Sequence, residues 1–161
     1  MRGAAVVAAA GLVLAGCGGL SAHNPISPSR TRVDVSSPAF AAGGPIPARF
    51  TCQGQDVSPP LRWTHVPSGA RELNLVMRDP DAPGGNFIHW QLTGIPPSTR
   101  ALTAGEIPPG AGVGRNDFGT TGYRGPCPPP GPAHHYVITL TAQAGAAVLG
   151  TGTLTGTYGR R

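Results

Sequence analysis

Two short stretches hold most of the side chains in this sequence that could do chemistry. The first is Asp79-Pro80-Asp81-Ala82-Pro83, followed by Phe87-Ile88-His89-Trp90. The second is Gly122-Tyr123-Arg124-Gly125-Pro126-Cys127-Pro128-Pro129, followed by His134-His135-Tyr136. Each sets carboxylates, imidazoles or a phenol beside prolines that fix the backbone and glycines that let it approach a ligand closely. Such loops suit a pocket for a small anion or phosphate, held by charge-assisted hydrogen bonds. A proline after Asp79 and another after Ala82 hold both residues extended. Asp79 and Asp81 equally suit turn chemistry, in which a carboxylate bonds nearby N–H groups. His89 opens a strand eight residues after Asp81, so a hairpin would bring the two together. A carboxylate there would orient the imidazole and favour its charged form; the plainer reading is a satisfied histidine at a strand end. Gly125 has an N–H to offer an anion, whereas Pro126 has none. His134 and Tyr136 lie two apart and share a face of an extended strand, with His135 on the other. Tyr136 could donate to a phosphate or simply pack at a core or rim position.

The elements that must position these groups read as strands. Nineteen prolines and twenty-five glycines interrupt the chain too often for long helices. Period-two alternation marks Arg32–Ser36, Glu72–Met77, His89–Ile95, Tyr136–Thr141 and Gly152–Tyr158. In His89–Ile95, Trp90, Leu92 and Gly94 are expected on one face, with His89, Gln91, Thr93 and Ile95 on the other. Many short strands at this spacing predict one mainly β domain, an antiparallel sandwich or barrel.

The N-terminus reads as an address. Arg2 precedes an apolar run from Gly3 to Leu14, then Leu14-Ala15-Gly16-Cys17. That is the layout of a secretory signal, and the last four residues resemble a bacterial lipobox. The resemblance implies cleavage before Cys17 and a lipid on its sulfur. The apolar run is shorter than the ~20 residues of a membrane span. The expected organisation is a signal over residues 1–16, a lipidated tether over 17–31 and a β domain over 32–161. The expected location is outside the cell membrane, anchored to its outer face.

Every basic side chain is an arginine, and these are scattered singly except for Arg160-Arg161. Without Arg2, eleven arginines face seven acids, a formal balance of +4. No basic stripe with stacking aromatics is present, so nucleic-acid binding is not expected. Cys52 and Cys127 remain once Cys17 is lipidated. In an exported chain they favour a disulfide; two buried free thiols are the alternative. Neither has the spacing of a metal site, and no cofactor is implied.

The two stretches together resemble the signature blocks of the phosphatidylethanolamine-binding protein family, in its bacterial Raf kinase inhibitor-like branch. The similarity runs from about Arg49 through Gln143, resumes over Leu149–Arg160, and includes Gly54-Gln55-Asp56-Val57-Ser58-Pro59-Pro60-Leu61-Arg62-Trp63. It implies a sandwich of antiparallel sheets with a small anion pocket at one end. By that resemblance the pocket would use Asp79, His89, Gly125, Pro126, His134 and Tyr136, and Ala82-Pro83 becomes a candidate cis peptide. Relatives carry a longer stretch, with an amphipathic helix, before the last strand. Here only Ala144–Val148 intervenes, about one helical turn, so the helix is expected shortened or missing and a sheet face or pocket wall exposed.

The expected function is a membrane-tethered, non-enzymatic binding protein for a small anion or phospholipid headgroup. The alternative is a protease inhibitor or other protein-interaction module with an unknown target. A hydrolase using Asp79 and His89 ranks lower, because no Gly-x-Ser-x-Gly elbow occurs. A metal site from Asp81, His89 and His134 ranks last.

Overall fold

The computed structural model describes residues 30–160. The expected signal, the Cys17 lipid site and most of the tether therefore lie outside the described residues. Nine strands follow in order: β1 Thr31–Arg32, β2 Asp34–Ser36, β3 Leu61–Thr64, β4 Glu72–Asp79, β5 Phe87–Ile95, β6 Ala101–Leu102, β7 Gly112–Val113, β8 His134–Ala144 and β9 Ala147–Tyr158. They form a six-stranded sheet, β1-β9-β8-β4-β5-β7, and a three-stranded sheet, β2-β3-β6. The expected mainly β sandwich is what forms. One strand pairing departs from the antiparallel rule: β1 runs parallel to β9 at the sheet edge, Thr31 opposite Gly150 and Arg32 opposite Thr151.

Alternation builds the core. Leu73, Leu75 and Met77 of β4 and Ile138, Leu140 and Ala142 of β8 face inward, against Leu61 and Trp63 of β3 and Leu102 of β6. Each buried large apolar side chain contributes roughly 2 kcal/mol. The same inward faces of β4 and β8 end in Asp79 and Tyr136, both buried. Hydrophobic periodicity thus carries polar groups to one end of the interior.

Strand β5 breaks its expected alternation twice. Met77 pairs with Trp90 while Arg78 pairs with Ile88, which leaves His89 as an extra residue; a second shift separates Leu75–Leu92 from Leu73–Ile95. Each bulge turns the following side chain over. His89 and Ile95 therefore lie buried with Trp90 and Leu92, not on the opposite face. The second bulge rests on Gly94, at φ +64°, whose N–H donates to Asn74 Oδ1 at 3.0 Å. Glycine reaches that backbone region at little cost.

No helical turn survives between the last two strands. Ala144 pairs with Ala147, so Gly145-Ala146 is a two-residue hairpin turn with Gly145 at φ +59°. Glycine in the first central position is what such a turn favours. The sheet face thereby left open is polar, carrying the half-exposed Thr139, Thr141, Thr151 and Thr155 and the exposed Thr153. Among the described residues, Ile107 and Phe118 are the large apolar side chains that are exposed. A second correction concerns Ala82-Pro83, which is trans like every described peptide bond. The loop turns instead through Gly84, Gly85 and Asn86, all at positive φ.

Candidate functional site

Three strand ends converge on one cavity of about 320 Å³. The end of β4 brings Asp79, the bulge in β5 brings His89, and the start of β8 brings His134 and Tyr136. Nδ1 of His134 donates to Oδ2 of Asp79 at 2.8 Å, and Oδ1 of Asp79 accepts the Asp81 N–H at 2.9 Å. Asp79 thus serves both its turn and a histidine, and that histidine is His134. Asp81 does not meet His89. Its Oδ2 takes the N–H and the Nδ1 of His135, each at 2.7 Å, and these bonds, the backbone one first, hold its carboxyl below the usual value. The residue expected to point away is therefore the one that pins the first loop to β8.

His89 Nδ1 donates to the carbonyl of Arg124 at 2.7 Å, which leaves Nε2 as the nitrogen free for a ligand. Burial lowers the His89 pKa, opposed by the Arg124 carbonyl and by Asp79. The imidazole is therefore neutral at neutral pH, with a lone pair on Nε2. Its ring meets Tyr136 edge to face, with centroids 5.2 Å apart. The Tyr136 hydroxyl is fully buried and makes no hydrogen bond of good geometry, although the Asp79 carboxylate lies close enough to act on it. Burial first, and then the charge of Asp79, push its pKa far up, so it remains a donor. A buried hydroxyl without a partner costs about 1–3 kcal/mol, and this one stands on a cavity wall.

The remaining walls are Ala82, Pro83, Phe87, Phe118, Pro128 and Pro129, all apolar, together with Cys127. Phe87, Phe118 and His89 pack edge to face, with centroids 4.8 to 5.3 Å apart. Phe87 was legible in principle, two residues before His89 on the same strand. Phe118 was not, since its loop folds back through contacts remote in sequence. Asp117 brackets Ile88, accepting its N–H at 2.7 Å and donating to its carbonyl at 2.9 Å.

Gly125 and Pro126 do not line this cavity. The Gly125 N–H is committed to Asp56 Oδ1 at 2.6 Å, and so is not an anion donor. The Pro126 carbonyl accepts the Cys52 N–H at 3.2 Å. A Cβ on Gly125 would lie 2.3 Å from the Phe50 carbonyl oxygen and 2.8 Å from Thr51 Cα. The glycine is there for close backbone approach. Gly125→Ala is expected to lower stability by about 2–3 kcal/mol through overpacking, read as a shifted denaturant midpoint with unchanged slope. Cys52 and Cys127 are joined in a disulfide, which ties the same two loops. No free thiol, serine or threonine lines the cavity, and among the described residues no group of three His, Cys, Asp or Glu could hold a metal ion.

Both the sequence and the fold have relatives. The profile of the phosphatidylethanolamine-binding proteins matches residues 36–159. The chain belongs to the phosphatidylethanolamine-binding protein family. A family relative named "Putative lipoprotein LppC", from Mycobacterium tuberculosis, is 43% identical over 146 residues, covering 80% of this chain and 72% of that protein. A UPF0098 protein of Methanothermobacter thermautotrophicus is 45% identical, covering 68% of this chain and 76% of its own length. Among solved structures, the phosphatidylethanolamine-binding protein homologue CT736 of Chlamydia trachomatis superposes with a TM-score of 0.75 at 31% identity, covering 81% of this chain and 99% of its own. YbcL of E. coli, described as a member of the mammalian family, gives 0.75 at 28% identity with the same coverages.

Proposed function

We propose that this family member is an exported, membrane-tethered binding protein whose pocket takes a small anion or phosphate-bearing group. The observation that carries the reading is the convergence of the Tyr136 hydroxyl, His89 Nε2 and the Asp79–His134 pair on one cavity. A ligand oxygen would satisfy that hydroxyl and accept from the imidazoles. The apolar walls exclude water and strengthen such bonds. Anchoring through a lipid on Cys17 is supported by the Leu14-Ala15-Gly16-Cys17 sequence and by the lipoprotein name of a 43% identical relative. A hydrolytic role finds no serine, threonine or free thiol on the cavity wall, where Cys127 is tied in its disulfide.

The electrostatics of His89 supply the test. To donate to an anion, Nε2 must take up a proton that burial discourages in the empty pocket. The bound form holds more protons than the free form at any pH between the two His89 pKa values. Affinity there rises as pH falls. Sulfate, which stays doubly charged, is expected to bind more tightly by up to about tenfold per pH unit as pH falls toward the free His89 value, which lies below 6.5. The same depressed pKa makes stability complete above 6.5 and lost progressively as pH falls from there toward the folded value. Calorimetric titration with sulfate across this range checks the linkage. Flat affinity, or no binding at any pH, would sink the anion reading.

A further inference from the structure

The pocket and the point where the chain enters the domain lie at opposite ends of the sandwich. Thr31 pairs with Gly150 and Arg32 with Thr151, and the pairing is parallel. Arg30 therefore enters β1 from the side of Val148 and Ala147, the Gly145-Ala146 hairpin end. The pocket sits at the far end of the same strand, where Tyr136 pairs with Gly156 and His134 with Tyr158. Eight residues of β9 separate Gly150 from Tyr158, about 26 Å at roughly 3.3 Å per residue.

We infer that the anchored protein holds its pocket away from the membrane that carries it, and that the pocket takes phosphate-type anions from the surrounding aqueous space. Headgroups of its own leaflet are not its ligand. The inference rests on the lipid anchor and the anion pocket proposed above. Thirteen residue steps join Cys17 to Arg30, at most about 45 Å of fully extended chain. With the hairpin end toward the bilayer, none of that length has to double back. To bring the pocket to the bilayer, the domain must turn over and the connection must run back along the ~26 Å of β9. More than half of its greatest reach would be consumed. A phosphate group in water and one on a lipid have the same chemistry, so the direction of β1 is the ground for choosing between the two sources.

The test uses the full-length lipidated protein in vesicles of phosphatidylethanolamine and in vesicles of an uncharged glycolipid. A fluorophore is placed on Ala146→Cys, in the exposed hairpin turn, or on Phe118→Cys, at the pocket rim. Contact quenching comes from a headgroup-borne nitroxide. The hairpin label is expected to lose most of its intensity and the rim label to keep it. Equal quenching of both labels overturns the orientation. On the unlabelled protein, radiolabelled phosphate is expected to bind with the same affinity on both vesicles. A several-fold weaker apparent affinity on phosphatidylethanolamine would show that leaflet headgroups occupy the pocket, and overturns the claim about source. Absence of phosphate binding on either vesicle removes the anion pocket and with it the ligand claim, while quenching still decides the orientation. Failure of the protein to float with vesicles removes the anchor and the inference together.

Discussion

Tyr136→Phe is expected to lose anion affinity by roughly 10- to 100-fold while leaving stability unchanged or raised. The two effects come from one atom. A hydrogen bond to a charged group contributes about 1.5–3 kcal/mol, which sets the size of the affinity loss. In the empty protein that hydroxyl is buried with no well-aligned partner, only the nearby Asp79 carboxylate. Removing it lifts a penalty of about 1–3 kcal/mol. The phenyl ring keeps the edge-to-face contact with His89 and the packing at the end of the β8 inward face. A tyrosine serving only the core would behave differently, since its removal would leave sulfate binding untouched. Paired measurements of sulfate affinity and denaturant midpoint separate the two. Unchanged affinity with lowered stability would assign Tyr136 to the core and remove the observation on which the pocket reading stands.

How far the sequence foretold this site depends on how each residue is delivered. Asp79, His134 and Tyr136 sit on regularly alternating strands whose apolar residues declare which face is inward, so period two places them. His89 sits on an equally recognisable strand, but alternation assumes one-to-one pairing, and the bulge breaks it. Gly94 is the visible sign of the second bulge, because glycine inside a strand marks such irregularities; nothing comparable marks the first. The short strands β3, β6 and β7 pair two to four residues with distant segments, too few for periodicity to register. Ala144–Val148 has helix-favouring composition but two strands to join, and the ladder from His134 to Ala147 overrides local propensity. Gly125 shows the opposite failure. Its motif predicts close approach of the backbone to a ligand, but what approaches is Phe50 and Thr51 of the protein itself.

Loss of the Cys52–Cys127 bridge is the other large effect expected. It spans 75 residues, and in the chain-entropy account closing a loop of that size removes about 4 kcal/mol of denatured-state freedom. For a domain of this size, Cys52→Ser/Cys127→Ser is expected to lower Tm by about 10–20 °C. The native arrangement around the bridge has its own supports. Tyr123 donates to the Phe50 carbonyl at 2.6 Å, Gly125 to Asp56 at 2.6 Å and Cys52 to the Pro126 carbonyl at 3.2 Å. Arg124 pairs with Asp56 at 3.1 Å. Those bonds hold residues 123–126, and with them the Arg124 carbonyl that orients His89, whether or not the sulfurs are joined. The double variant should therefore fold to the same pocket below its lowered Tm. Its sulfate affinity should fall only by the loosening of the Pro128-Pro129 wall that follows Cys127. Thermal unfolding with and without a reductant, beside sulfate titration at low temperature, checks both halves. A protein that keeps its Tm under reduction would show that the bridge closes a loop already ordered in the denatured chain. One that loses sulfate binding entirely while still folded would show that the bridge, rather than the hydrogen bonds around Asp56, positions the pocket.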